Sequence, residues 1–274
     1  MGDAQSPLAL EFENVTVRFD DQPALSDVSF VMKRGETRVI LGSAGSGKSV
    51  LLKTALGLVR PDAGRVSVFG EDITELEEES LFAIRSRMGV VFQEGGLFDS
   101  LNIEENVSYP LLNQDRDDGR KPGPAEVRER VEEALRFVEL EHTLEKFPSQ
   151  LSGGMRRRVG IARAAVSEPP LLLYDSPTAG LDPITANTII ALIAKERDLK
   201  NSSSAVVTHR IQDGHLLANF RYNPESGALE RVDGDAAGLR TRFMVLQEGR
   251  VVFEGLEKEM EQSRDPYVAK FVRR

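Results

Sequence analysis

The sequence predicts an α/β protein: a mixed β-sheet core joined by an antiparallel β region and an inserted helical region. Three observations predict it. Through the middle of the chain, short apolar runs alternate with helical patterns, the arrangement that yields parallel strands with helical crossovers. At both ends lie strand pairs that read as antiparallel: Leu10 to Phe19 with Ser26 to Met32, and Phe243 to Gln247 with Arg250 to Phe253 around Glu248-Gly249. A glycine-rich loop also stands between a short β-rich run and an apolar helix.

The elements follow in order. Leu10 to Phe19 alternates apolar and polar residues, the mark of a half-buried strand. Asp20 to Pro23 reads as a turn, and Ser26 to Met32 as a strand ended by Lys33-Arg34-Gly35. Thr37 to Leu41 is β-rich and leads through the glycine loop to a helix over Val50 to Leu58, stopped by Arg60-Pro61. Arg65 to Phe69 is a strand, Glu75 to Arg87 an acidic helix and Met88 to Gln93 a strand.

From about residue 94 the character changes. Asp115 to Pro124 is charged and rich in Gly and Pro, hence a loop. Ala125 to Leu140 places Val127, Val131, Ala134, Leu135 and Val138 on one helical face. Ser152 to Val166 is a second helix with Ser152 as its N-cap. Leu171 to Tyr174 is a fully buried strand, Thr185 to Arg197 an amphipathic helix and Ala205 to Thr208 a strand. Arg221 to Arg242 carries many turn formers and no clear period. This division assigns residues 1–93 and 161–274 to a core with the antiparallel β region, and 94–160 to a helical subdomain. No internal repeat is visible.

Composition excludes several classes of function. The 274 residues carry 35 Lys+Arg and 44 Asp+Glu, a net charge of −9. Such a chain is a poor binder of the nucleic-acid backbone, which needs clustered Lys and Arg. Zero cysteines exclude disulfides, thiolate zinc sites and a cysteine nucleophile, and three histidines argue against a multi-His metal site. No apolar run approaches the ~20 residues that cross a bilayer, and no secretory signal is expected at the N-terminus. The start Met1-Gly2-Asp3-Ala4-Gln5-Ser6 fits a loose myristoylation pattern without a basic patch to support it. The sequons at Asn14, Asn106 and Asn201 carry no meaning without export.

Chemistry concentrates in a few segments. Gly42-Ser43-Ala44-Gly45-Ser46-Gly47-Lys48-Ser49 fits the phosphate-binding pattern G-x-x-x-x-G-K-[ST] in full. Glycines let the backbone curl so that several N–H groups point at one anion, and the helix start adds its positive dipole end. Lys48 is expected to reach the β- and γ-phosphates, and the Ser49 hydroxyl to ligate Mg²⁺. Asp175, an acid after four apolar residues, supplies the carboxylate that such a metal needs. Leu151-Ser152-Gly153-Gly154-Met155 opens a helix on small residues and so forms a second anion site.

In this order the segments resemble the ATP-binding subunit of an ABC transporter, built on a RecA-like P-loop NTPase core. Gln93 resembles the family's Q-loop glutamine, and Leu151 to Met155 its signature. Leu171 to Asp175 resembles Walker B, Ala179 to Asp182 the D-loop, His209 the switch histidine and Phe19 the aromatic residue under adenine. The resemblance implies Mg²⁺ held by Ser49, Gln93 and Asp175, with Gln93, Asp175, Ser176 and His209 as the catalytic set. It implies a head-to-tail pair, each ATP gripped by one copy's P-loop and capped by the other's Ser152, Gly153 and Gly154. Transmembrane permease subunits are the implied partners, at the cytoplasmic face of the inner membrane. The stretch Gly95 to Val107 and the Met155-Arg156-Arg157-Arg158 ending are similar to the phospholipid systems that work with MCE-domain proteins and an accessory subunit. A small-solute importer is the alternative.

Two departures from the family pattern stand out. Ser176 occupies the place of the usual glutamate base, and a serine hydroxyl is far too weak to hold the proton of water near pH 7. Three readings follow: a slow ATPase that positions water with His209 and Gln93, an ATP-gated clamp with little turnover, or a substitution that traps ATP. The slow ATPase is favoured, because phosphoryl transfer rests chiefly on positioning and electrostatics. The segment Phe220 to Arg242 is longer than the family needs, either a surface hairpin around Asn223 to Gly227 or a partner contact. Tyr267, Val268, Phe271 and Val272 form an apolar set that packs on the chain's own core or on a partner.

Overall fold

The computed structural model describes residues 7–20, 22–113, 122–232 and 240–272. It contains two main sheets. The first is antiparallel, in the order β2 (Gln22–Lys33), β1 (Leu8–Phe19), β4 (Ala63–Val68), β5 (Glu71–Asp72). The second runs β12 (Arg250–Gly255), β11 (Thr241–Gln247), β3 (Thr37–Leu41), β8 (Ser203–Thr208), β7 (Leu171–Asp175), β6 (Met88–Val91). All its neighbours pair in parallel except β11 and β12.

The helices are α1 (Lys48–Ala55), α2 (Glu78–Arg85), α3 (Ile103–Asn113), α4 (Pro124–Phe137), α5 (Gly153–Ala165), α6 (Pro183–Lys200), α7 (Ile211–Asn219), α8 (Glu257–Glu261) and α9 (Pro266–Val272).

The continuous apolar runs of the second sheet have a simple cause: both of its faces are buried. Successive side chains on a strand point to opposite faces. Val39, Leu41, Leu172, Tyr174, Val206, Phe243 and Val245 join the core shared with α3 to α6. Ile40, Leu171, Leu173, Ala205, Val207, Met244 and Leu246 join the core shared with α1 and the antiparallel sheet. Fully buried Arg38 stitches the two sheets, donating to Glu36 and Glu254 and to the Val31 carbonyl.

Several expectations are refined. Gln22 and Pro23 belong to β2, since Phe19 pairs directly with Gln22. The closing hairpin is antiparallel within itself, but β11 lies parallel to β3 and so extends the central sheet. The α6 helix is buried around most of its girth, Ile189, Ile190, Leu192, Ile193 and Ala194 included, because α5, α7 and a further hairpin all cover it. That hairpin is β9 (Phe220–Asn223) with β10 (Ala228–Arg231). It is tied to α6 by Arg197, which donates to the Phe220 carbonyl, and by the Tyr222 N–H, which donates to Asp198. Most of the expected 115–124 loop lies outside the described residues, as do 233–239. The apolar tail packs on the chain's own core: Val268 is fully buried, with Tyr267, Phe271 and Val272 around it.

Candidate functional site

The glycine loop leaves β3 at Leu41 and enters α1 at Lys48. Gly45 and Gly47 have φ of 76° and 100°, a region that costs other residues energy. A Cβ on Gly47 would stand 2.5 Å from the Ala24 carbonyl, and one on Gly42 2.6 Å from that of Leu246. The loop is therefore shaped by close backbone approach as well as by turn geometry. No side chain caps α1, whereas Ser152 caps α5 and Asp182 caps α6. Its first N–H groups are left without a side-chain acceptor, as at the starts of α2, α4 and α7, and a helix start beside a glycine loop suits an anion.

Lys48 sits half-buried at the floor of the loop. Its Nζ donates to the carbonyls of Gly42 (2.9 Å) and Ser43 (2.7 Å) and to Ser46 Oγ (3.2 Å). Burial pulls its pKa below the ordinary lysine value, and nearby Asp175 opposes that pull. The register explains their proximity. Leu41 pairs with Thr208, Val207 with Asp175, and Tyr174 with Val91. The P-loop, His209, Asp175 and Gln93 thus leave the same, C-terminal edge of four adjacent parallel strands, where open α/β sheets hold ligands.

Ser176 has φ of 50°, and its N–H donates to the Val207 carbonyl at 2.9 Å. Its hydroxyl lies 3.2 Å from Asp175 Oδ1 as a donor. Both Ser176 and Asp175 are only partly exposed, and His209 is exposed. Ser49, on the first turn of α1, is exposed as well. A hydroxyl and a carboxylate are hard oxygen donors suited to Mg²⁺, which takes its remaining ligands from water and substrate phosphate. Phe19 is half-exposed at the tip of the β1–β2 hairpin, whose Ala24 and Leu25 touch Gly47.

The helix start expected as a second anion site is capped by its own serine. Ser152 Oγ accepts from the Met155 N–H at 3.2 Å, and Ser152 and Gly153 are exposed. Among the described residues no hydrogen bond joins residues 151–155 to the P-loop of the same chain. A cleft of about 400 Å³ separates Gly153 from Gln93, Ala179, Gly180 and Leu181.

Three functional candidates escaped sequence reasoning. Arg157 donates from Nε to the Gln93 carbonyl at 2.6 Å and from a guanidinium nitrogen to the Ala179 carbonyl. Buried Arg163 donates to the Gly95 carbonyl at 3.1 Å. Helix α5 therefore carries the signature segment and also grips the Q-loop and D-loop candidates. Its close seat needs small residues, since a Cβ on Gly160 would stand 2.9 Å from the Gly95 carbonyl. The third is buried Asp213, whose Oδ2 accepts from Thr178 (2.6 Å) and Thr208 (2.7 Å). It links the segment after Asp175 to the residue before His209. The spacing between these residues carries no local signal, and only the strand order brings them together.

This site and fold define a nucleotide-cassette protein. Residues 25–179, more than half of the chain, match the family model described as ABC transporter, and the chain belongs to that family.

Among its relatives, it is 30% identical over 264 residues to the intermembrane phospholipid transport system ATP-binding protein MlaF of Haemophilus influenzae, covering 96% of this chain and 90% of that one. It is 38% identical over 212 residues to the probable ribonucleotide transport ATP-binding protein mkl of Mycobacterium leprae, covering 77% of this chain but 60% of the relative. It is also 40% identical over 189 residues to the methionine import ATP-binding protein MetN of Bifidobacterium longum, covering 69% of this chain and 45% of the relative. Among solved structures, a dimeric ATP-binding cassette in a post-hydrolysis state bound to ADP and Pi superimposes with a TM-score of 0.74 at 32% identity, covering 90% of this chain and 98% of that one.

Proposed function

We propose that this chain is the ATP-binding subunit of a phospholipid transporter, closing as a head-to-tail dimer on MgATP and reopening after hydrolysis. The observation that carries the reading is the uncapped start of α1 with Lys48 and Asp175 converging beside it. Residues 42–49 would wrap the triphosphate, with Phe19 under adenine. Ser49, Gln93 and Asp175 would hold Mg²⁺, which neutralises charge on the transferred phosphoryl group. Gln93 and His209 would orient the attacking water. Ser152, Gly153 and Gly154 of a second copy would complete the phosphate cage. The uncrossed gap between this chain's signature and its own P-loop supports that need, as does the dimeric cassette it resembles.

Residues 94–160, read as a unit against 1–93 with 161–274, would meet that core within α5, and α5 would carry the motion of dimer closure to the Q-loop. No helix among the described residues is long and apolar enough to cross a membrane. The pathway would belong to permease partners, with this chain on the cytoplasmic face of the inner membrane. Similarity to MlaF over almost the full length of both chains favours phospholipid cargo, an MCE-domain partner and an accessory subunit. The methionine import ATP-binding proteins, of whose length it covers 45 to 66%, represent the small-solute alternative.

Ser176, which donates to Asp175, cannot serve as a strong base, and on this reading turnover would be slow. The test is phosphate release by the chain co-purified with its membrane subunits. Ser176→Glu should raise the rate by about 100-fold or more, the range general-base help supplies. A wild-type rate indistinguishable from that of Lys48→Ala would replace the slow ATPase by a clamp. Co-purification of a small-solute receptor instead of an MCE-domain protein would overturn the cargo assignment.

A further inference from the structure

The C-terminal helix reaches back to the glycine loop. Asp265 caps α9, its Oδ1 accepting from the N–H groups of Tyr267 (2.7 Å) and Val268 (3.1 Å), and Pro266 fills the first helical position. Fully buried Val268 anchors the helix in the core, and the rings of Tyr267 and Phe271 meet edge to face at 5.5 Å. Cap and anchor together fix the direction of the Tyr267 side chain.

That direction is the P-loop. The Ser43 N–H donates to the Tyr267 hydroxyl oxygen at 3.0 Å. The hydroxyl lies 3.2 Å from the Leu246 carbonyl and 3.0 Å from Ser43 Oγ, and its one proton serves one of them. On its other side, the Ser43 carbonyl receives the Lys48 ammonium at 2.7 Å. One exposed residue of the loop is therefore held at its N–H by Tyr267 and at its carbonyl by Lys48. Residues 43–45 are otherwise exposed, and a flexible loop pays an ordering cost when it takes up a ligand.

We propose that Tyr267 is a positioning residue of the nucleotide site: it fixes Ser43, and through it the loop and Lys48, before the triphosphate enters. The proposal rests on reading residues 42–49 as that site. Tyr267→Phe removes only the hydroxyl and keeps the ring in the core. In this variant the Kd for MgATP, measured by calorimetry on the purified chain, should rise about fivefold, the worth of one neutral hydrogen bond. KM of the assembled complex should rise in parallel, with kcat within about twofold, because binding and not the chemical step is affected. Phe271→Leu loosens the same helix but keeps the hydroxyl, and should leave Kd within about twofold.

Wild-type Kd in Tyr267→Phe, while Lys48→Ala loses binding, would overturn the positioning role and spare the site. Equal weakening in Phe271→Leu would also overturn it, since helix packing and not the hydroxyl would then be responsible. Failure of the wild-type chain to bind MgATP would instead bring down the site assignment, and this inference with it.

Discussion

Replacing Glu196 by Gln should stabilise the protein far more at pH 8 than at pH 5. Glu196 lies on α6, only 2% exposed, beside a cavity of about 400 Å³ between α4, α5 and α6. Burial is the largest influence and raises its pKa from 4.5 to about 7, Lys200 opposes the rise, Glu168 adds to it and Lys195 opposes it. Arg130 and Glu133 of α4 line the same cavity, and the buried Tyr174 of β7 feels its charge.

The folded pKa lies above the unfolded one. The proton's contribution is therefore full below pH 4.5 and is lost as the pH rises through 7. The gap between 4.5 and 7, at about 1.4 kcal/mol for each pH unit, corresponds to about 3 kcal/mol. Gln is nearly isosteric with neutral Glu and does not titrate. The stability difference between variant and wild type should therefore shift by about 2.5 kcal/mol in favour of Gln between pH 5 and pH 8, the rest of the gap being lost already below pH 5. Urea unfolding at the two pH values reads this directly. A difference that is equal at both, or a variant less stable at pH 8, would refute the reasoning.

The remaining predictions concern the site. Lys48→Ala should raise the Kd for MgATP at least about tenfold, the loss of a charge-assisted contact, and abolish phosphate release; unchanged turnover would contradict the cradle. Ser152→Ala should lower thermal stability by about 1 kcal/mol, since it removes the α5 cap. It should also impair turnover of the dimer while isolated subunits bind nucleotide normally, which paired ATPase and binding assays would reveal. Asp213→Ala strands two buried threonine hydroxyls and should cost about 3 kcal/mol or more in urea unfolding. Its turnover should fall further than that of a variant with an equal stability loss elsewhere, if the Thr178–Asp213–Thr208 tie orders the loops.

The strands around the P-loop were legible because burial on both faces leaves an unbroken apolar run, as in Leu171 to Tyr174. The phosphate-binding pattern was legible because backbone shape demands glycine at set positions. Helix α3 was less so. Pro110 lies inside it, and its start depends on a reciprocal pair, with the Glu105 N–H donating to Asn102 and the Asn102 N–H to Glu105, each at 2.8 Å. That capping box was the available signal. Arg157 and Asp213 were hidden for another reason. Arg157 reaches Gln93 across 64 residues and Asp213 reaches Thr178 across 35, so these links exist only once the chain is folded. The same holds for Tyr267, which is separated from Ser43 by 224 residues.

The position of β3 governs when such a molecule can become competent. Its two flanking strands begin at Ser203 and Thr241, so neither has been synthesised when the glycine loop first leaves the ribosome. A nascent N-terminal half carries every residue of the phosphate cradle but lacks both walls that straighten it. Pairings of such long range pay their loop-closure entropy before any contact rewards it. The proposed cradle would therefore gain its second wall only after Thr241 to Gln247 have been made, and a chain terminated before them would present the glycine loop on a strand with one flank open.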